Sequence, residues 1–211
     1  AVALLMAGCA ALDAKQGQWI FNPTDRTWGG AAASSGSLRD AWVEFNSKVT
    51  GQPAKLHLVI AGDDSAQSLP NSSPSKPVLL YLHGARWNVN GSAWRIERMR
   101  DLGFTVVAVD YRGFGKSGAE APSEEKAYED ARAAWAWVGE QFPERERFVF
   151  GHSLGGAIAI HLASEVSDER GTIVEGTFTS IPDVVSTMRW GWLPWLPMPG
   201  PAPSAAIAAA S

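Results

Sequence analysis

In the stretch RFVFGHSLGGAIAIHLASEV, residues 147 to 166, Ser153 stands between Gly151 and Gly155 in a GxSxG spacing. A serine hydroxyl is a weak nucleophile until its geometry exposes it and a neighbouring base accepts its proton. The residues before it, RFVFG, read as a strand, and those after it, LGGAIAIHLASEV, as a helix. A serine at such a junction is carried on a turn so sharp that a Cβ at Gly151 or Gly155 would meet backbone, which is why glycine is needed on both sides. The turn holds the hydroxyl above the sheet. The amides opening the following helix face the same point, so negative charge developing on a substrate carbonyl oxygen is stabilised there. Leu154 supplies one such amide, and the loop YLHGARWN, after an earlier strand, offers a second through Ala85.

Acyl transfer from a serine also needs an imidazole within hydrogen-bond reach. The chain has four histidines: His57, His83, His152 and His161. His161 lies eight residues along the helix from Ser153, about 12 Å at 1.5 Å per residue. His152 adjoins the nucleophile in the turn and should point away from it. His83 precedes the Ala85 loop and His57 lies in an early hairpin. All four are read as structural.

The elements that must position Ser153 follow from patterning. AWVEFNSKVTGQPAKLHLVIAG alternates apolar and polar residues on both sides of TGQP, which predicts two half-buried strands joined by a turn. Residues 61–77 are rich in Ser, Asp and Pro and read as a loop. VLLYLHG, FTVVAVDY, RFVFG and GTIVEGTFTS are nearly continuous apolar runs, as expected of parallel strands buried on both faces, the last of them spanning 172–179. A helix over 92–103 is predicted with Ser92 as cap, Ile96, Met99 and Leu102 on its apolar face and Gly103 at its end. A second, over 124–142, has Ala127, Ala131, Ala134, Trp135, Val138 and Phe142 at helical spacing before Pro143. This order predicts an α/β fold: a mostly parallel doubly wound sheet preceded by an antiparallel hairpin, with its active loops at the carboxyl ends of the strands.

Composition narrows the rest. The 211 residues are 45% hydrophobic and 19% charged with a net charge of −4, which fits one globular domain without the basic stripe that nucleic acid requires. A single cysteine excludes an internal disulfide framework, and no Cys or His cluster has metal-ligand spacing. No cofactor or metal is implied.

Three motifs in this order, HG at His83–Gly84, DxRGxGxS from Asp110 to Ser117 and GxSxGG from Gly151 to Gly156, resemble the α/β-hydrolase superfamily. Within it, YLHGA, DYRGFGKS and GHSLGG are most similar to bacterial lipoprotein-like esterases, thioesterases and the serine aminopeptidase-like group, over roughly residues 40 to 195. The resemblance implies Ser153 as nucleophile, a small acyl-ester or thioester substrate, the amides of Ala85 and Leu154 as oxyanion hole, and His83 bracing the oxyanion loop. It also implies two further strands that bear the usual acid and the histidine. Neither is recognisable here, so the fold is expected to lack its last two strands, the chain to be C-terminally truncated, and turnover by it to be nearly absent. Some relatives carry the acid one strand earlier, which makes Asp183 a candidate; Ser180 and Asp183 equally form an S-x-x-D helix cap with Pro182 near the helix start, the reading the spacing favours. Asp110 and Arg112 are read as a charged pair fixing their turn. RWGWLPWLP, residues 189–197, is a lid over the site, an amphipathic edge, or a contact with a bilayer surface.

The ends carry separate expectations. AVALLMAGCAALDAKQ places small residues and Cys9 after an apolar run, the pattern of a lipoprotein signal whose cysteine takes the lipid; a frayed apolar terminus or a buried cysteine is the alternative. The lipid-anchor reading locates the protein on the bacterial cell envelope, anchored to the membrane through Cys9. The chain divides into a signal remnant (1–9), the hydrolase domain (10–195) and a Pro/Ala-rich flexible tail (196–211). A final strand left at an open edge, TIVEGTF, predicts self-association. Three readings of function remain: an acyl hydrolase represented incompletely, a hydrolase-fold binding protein without turnover, and an assembly in which another chain supplies the histidine.

Overall fold

The computed structural model describes residues 38–62, 76–85 and 88–177. Six strands form one sheet: β1 (Leu38–Asn46), β2 (Pro53–Ala61), β3 (Val78–Leu82), β4 (Thr105–Asp110), β5 (Arg147–His152) and β6 (Gly171–Glu175), in the order β1-β2-β4-β3-β5-β6. β1 and β2 are an antiparallel hairpin in register from Leu38↔Ala61 to Asn46↔Pro53, and β2 joins β4 antiparallel through His57↔Asp110 to Ala61↔Val106. β4, β3, β5 and β6 run parallel to one another. Three helices connect them: α1 (Ala93–Asp101), α2 (Glu124–Gln141) and α3 (Leu154–Glu165). This is the mostly parallel α/β sheet with an antiparallel N-terminal hairpin that the patterning predicts.

Because strand side chains alternate between faces, the central strands feed two cores. Val78, Leu80 and Leu82 of β3, with Val107 and Val109 of β4 and Val149 of β5, pack under α2 and α3. Leu79 and Tyr81, with Val106, Ala108 and Phe150, pack on the other side with Ile96 of α1. All five residues of β3 are fully buried. Truncating one such aliphatic, Leu80→Ala for instance, would cost about 2–5 kcal/mol.

The helices meet their predicted faces with two exceptions. α2 buries Ala127, Ala131, Ala134, Trp135 and Val138, and the Ser123 hydroxyl caps it by accepting from the Lys126 amide at 3.3 Å. Ser92 does not cap α1: its hydroxyl donates instead to the Asn88 carbonyl at 3.2 Å, because a 3-10 turn at Asn90–Ser92 already leads into the helix. Leu102 faces solvent at 66% exposure, since α1 ends at Asp101 and Gly103, at φ 103°, turns the chain towards β4.

Two strands also differ from their sequence reading. β2 is not half-buried: pairing on both sides, with β1 and β4, encloses every residue from Leu56 to Ala61. The strand expected over 172–179 spans only Gly171–Glu175, and Gly176, at φ 58°, departs from the extended conformation that pairing needs. Its apolar side chains are not enclosed either, Ile173 being 42% exposed. Cys9, Asp183, the tryptophan-rich stretch, the tail and most of the 61–77 loop lie outside the described residues.

Candidate functional site

β5 ends at His152 and α3 begins at Leu154, so Ser153 alone turns the chain from sheet to helix, at φ 54° and ψ −119°. Among the described residues it is the one non-glycine with positive φ. Such a backbone costs on the order of 1–3 kcal/mol and persists only where its surroundings enforce it. The surroundings are close-packed. A Cβ at Gly151 would overlap the Gly155 carbonyl, and one at Gly155 would overlap the Leu82 carbonyl of β3, so α3 can sit this near the sheet only because both positions are glycine.

The main chain of Ser153 is held from β6. Its N–H donates to the Glu175 carbonyl at 2.9 Å, and its carbonyl accepts from the Thr177 hydroxyl at 2.8 Å and from the Gly156 amide at 2.9 Å. Its side chain is half-buried and makes no capping hydrogen bond to α3. The hydroxyl is therefore not engaged where serines at helix starts usually are, at a helix N-terminus whose first amides have no partner within the helix.

The loop after β3 forms the adjoining wall. Gly84 comes so near the elbow that a Cβ on it would lie 3.2 Å from the Ser153 Cβ. Ala85, the next residue, packs partly buried against the larger core. The His83 ring is wholly buried, with Nδ1 2.8 Å from the Gly84 carbonyl, and packs at an angle against the rings of Tyr111 and Phe114. Burial lowers its pKa, so it stands neutral at pH 7 and its Nδ1–H donates to that carbonyl.

None of the four histidines is placed to accept a proton from Ser153 by a hydrogen bond. The His57 ring bridges Asp110 at 2.9 Å and Asp40 at 3.1 Å. His161 stacks on Tyr128 at 3.7 Å between ring centroids. His152 is half-buried beside Gly84, its pKa lowered by burial and then by the nearby positive charge of Arg95.

Asp110 and Arg112 are structural, but they do not pair with each other. The Asp110 carboxylate takes His57 and, at 2.8 Å, the amide of Val89 in the segment between β3 and α1. Arg112, fully buried, reaches Asp130 at 2.7 Å, Glu129 at 2.7 Å and the Ser47 hydroxyl at 2.9 Å. The two side chains point to different parts of the fold because β4 ends at Asp110 and the chain turns at Arg112. Ser47 and Glu129 are 82 residues apart, a separation no local pattern can signal.

One cluster beside the elbow escaped the sequence reading. Arg95 of α1 makes a two-point contact with Glu175 at the end of β6, at 3.0 and 3.3 Å. The only signals were a charged residue closing the apolar run GTIVE and an arginine between Trp94 and Ile96.

The family model described as Serine aminopeptidase, S33, matches residues 73–203. The lysophosphatidylserine lipase ABHD12 of Danio rerio is 36% identical over 115 residues, which cover 51% of this chain and 29% of that protein. Protein bem46 of Schizosaccharomyces pombe is 37% identical over 131 residues, covering 59% of this chain and 43% of that protein. The chain thus spans well under half the length of these relatives. Among solved structures, a Pyrococcus furiosus esterase superposes with a TM-score of 0.58 at 21% identity, over 82% of this chain and 61% of that one. An alpha-beta hydrolase from Vibrio vulnificus does so with a TM-score of 0.54 at 20% identity, over 79% and 56%. The fold is that of the α/β-hydrolases, and the chain belongs to the hydrolase family of the serine aminopeptidase, S33, type.

Proposed function

We propose that the protein is a serine hydrolase of acyl bonds, ester or thioester, and that Ser153 is its nucleophile. The observation that carries this is the backbone of Ser153, held at positive φ on the strand-to-helix turn with its hydroxyl left out of the helix cap. In the reaction the Ser153 Oγ bonds to the substrate carbonyl carbon while its proton passes to a base. The amides of Leu154 and Ala85 receive the oxyanion, the bond to the leaving oxygen or sulfur breaks with the proton delivered to it, and water releases the acyl group from Ser153. The base is an imidazole other than the four in this chain, since His57, His83 and His161 are engaged elsewhere and His152 makes no hydrogen bond to the hydroxyl among the described residues. The 211-residue chain by itself therefore turns substrate over poorly. Asp183 keeps its place as candidate acid, and Cys9 as a lipid-bearing anchor to the bacterial envelope. Among the described residues no helix is long and apolar enough to cross a membrane.

The test is stoichiometric labelling by a fluorophosphonate together with hydrolysis of p-nitrophenyl butyrate, with free imidazole added as external base. Labelling confined to Ser153, and imidazole-stimulated turnover abolished in Ser153→Ala, is the expected result. Residual catalysis without one triad member runs about 10³–10⁴-fold over water, so the comparison with Ser153→Ala decides. Labelling spread over other residues, or turnover that survives Ser153→Ala, would sink the assignment. A second reading, a hydrolase-fold binding protein, draws on the same engaged histidines; acyl-ligand binding with no turnover under imidazole would select it.

A further inference from the structure

Among the described residues, every hydrogen bond that holds the Ser153 main chain from outside its own helix comes from the three residues 175–177: the Glu175 carbonyl on its N–H and the Thr177 hydroxyl on its carbonyl. Gly176, between them at φ 58°, gives that segment the bend needed to grip both the N–H and the C=O of one residue. The segment is tied to the sheet on one side, through β5, with which β6 pairs as far as His152↔Glu175. β6 is the last strand in the sheet order among the described residues, and its side chains from Ile173 to Glu175 are exposed. A strained turn should not be enforced by a strand end tied on one side unless something further fastens that end.

Arg95 does so. Its side chain, 11% exposed, makes its two-point contact with the Glu175 carboxylate across 80 residues of sequence. A planar guanidinium donating twice to one carboxylate restricts orientation as well as distance. Arg95 belongs to α1, and the chain from β3 to α1 includes Gly84 and Ala85, so the same ion pair joins the two walls of the site: the loop with the Ala85 amide, and the elbow with that of Leu154.

We propose that Arg95 and Glu175 are positioning residues for Ser153, their ion pair fixing segment 175–177 so that the elbow keeps its strained backbone and the two oxyanion amides keep their separation. The proposal rests on Ser153 being the nucleophile only for its catalytic consequence; the mechanical claim stands on the geometry alone. The pair touches neither substrate nor reacting atoms.

The test uses the full chain in four variants: Arg95→Gln, Glu175→Gln, the charge-exchanged double variant Arg95→Glu/Glu175→Arg, and Thr177→Val, which keeps side-chain volume and removes the hydroxyl donor. Hydrogen exchange resolved at the Ser153 amide should accelerate about tenfold or more in both single variants and in Thr177→Val. Amides of α2 should keep their wild-type rates, and the exchanged pair should recover part of the protection. Fluorophosphonate inactivation should slow by a similar factor in its chemical step while reversible affinity for the probe is unchanged. Wild-type exchange at Ser153 in the single variants, or acceleration that is equal in α2, would overturn the proposal. If Arg95→Gln fails to fold, Glu175→Gln decides by the same criterion. Exchange does not depend on catalysis, so absence of labelling at Ser153 with elbow-selective loosening refutes the nucleophile and leaves the positioning intact.

Discussion

The chain leaves β4 and β5, the two strands that flank β3 in the sheet, by two very different turns. After β4, the turn from Asp110 to Ser117 is held by side chains: Asp110 on His57, Arg112 on Asp130, Glu129 and Ser47, and the Ser117 hydroxyl between the His57 amide and the Asp110 carbonyl. After β5, the turn from Gly151 to Gly155 is held through its main chain, by the Glu175 carbonyl, the Thr177 hydroxyl and close glycine contacts, and its serine side chain does not cap the helix. A turn whose polar side chains are engaged by partners from the surrounding elements is scaffold. A turn clamped through its main chain, whose serine hydroxyl does not cap the helix, is the one that fits the nucleophile proposed above. The difference separates stability from chemistry better than any single distance does.

If that separation is right, the largest effect on folding comes from the first turn. Arg112→Ala leaves Asp130 and Glu129 without their buried partner, and breaking such a network by removing one member costs about 3–5 kcal/mol. The urea midpoint should fall accordingly; a loss of under about 1 kcal/mol would mean the network is no more than a surface pair in effect. Gly155→Ala comes next. Its methyl would meet the Leu82 carbonyl, a backbone atom that cannot rotate away, so a cost of about 3 kcal/mol is expected. Fluorophosphonate labelling of Ser153 should be lost even in conditions where the variant remains folded, which distinguishes a displaced elbow from general destabilisation.

How much of this was legible in the sequence follows the same divide. The elbow was readable residue by residue because its demands are local: glycine two before and two after Ser153, a strand run ahead and a helix run behind. The parallel strands β3, β4 and β5 and helix α2 were readable because their apolar periods are strong. The first turn was misread as an Asp110–Arg112 pair because proximity in sequence was the only cue, whereas the actual partners Ser47, His57, Glu129 and Asp130 come from three other elements. Arg95 and Glu175 were missed for the same reason, being neighbours only after the sheet has assembled. The length of β6 was overestimated because Gly176 in TIVEGTF reads as a pause in a strand, while its backbone ends one.

A smaller effect of opposite sign is expected at the elbow. Ser153→Gly removes the Cβ that makes positive φ costly, so the variant should be more stable than the wild type by about 1 kcal/mol while losing all labelling. Ser153→Ala keeps a Cβ at the same φ and should not share the gain. Measuring both by urea unfolding sharpens the comparison, because a stabilising loss of function is the signature of a residue kept for its chemistry. Equal stability of the two variants would mean that the strain is relieved by the surroundings.

The finest distinction is in pH, where the two turns should pull in opposite directions. At His57, burial disfavours the imidazolium, but hydrogen bonds to Asp110 and Asp40 outweigh it and the pKa is raised. Its contribution is then fully present below the unfolded value of about 6.5 and is lost as pH rises through the higher folded value. The pKa values of Asp110 and Asp40 are lowered, Asp110 against the effect of its own burial and Asp40 chiefly by its hydrogen bonds to Lys116 and His57, so their contributions fade only in acid. At His152 burial, and then the charge of Arg95, lower the pKa, so its contribution holds above about 6.5 and is lost as pH falls through the lower folded value. Unfolding measured from pH 5 to 9 should therefore show the wild-type advantage over His57→Gln shrinking as pH rises, and the advantage over His152→Gln shrinking as pH falls. Parallel trends in the two variants would show that both histidines report one common field, and that the two turns are electrostatically a single unit.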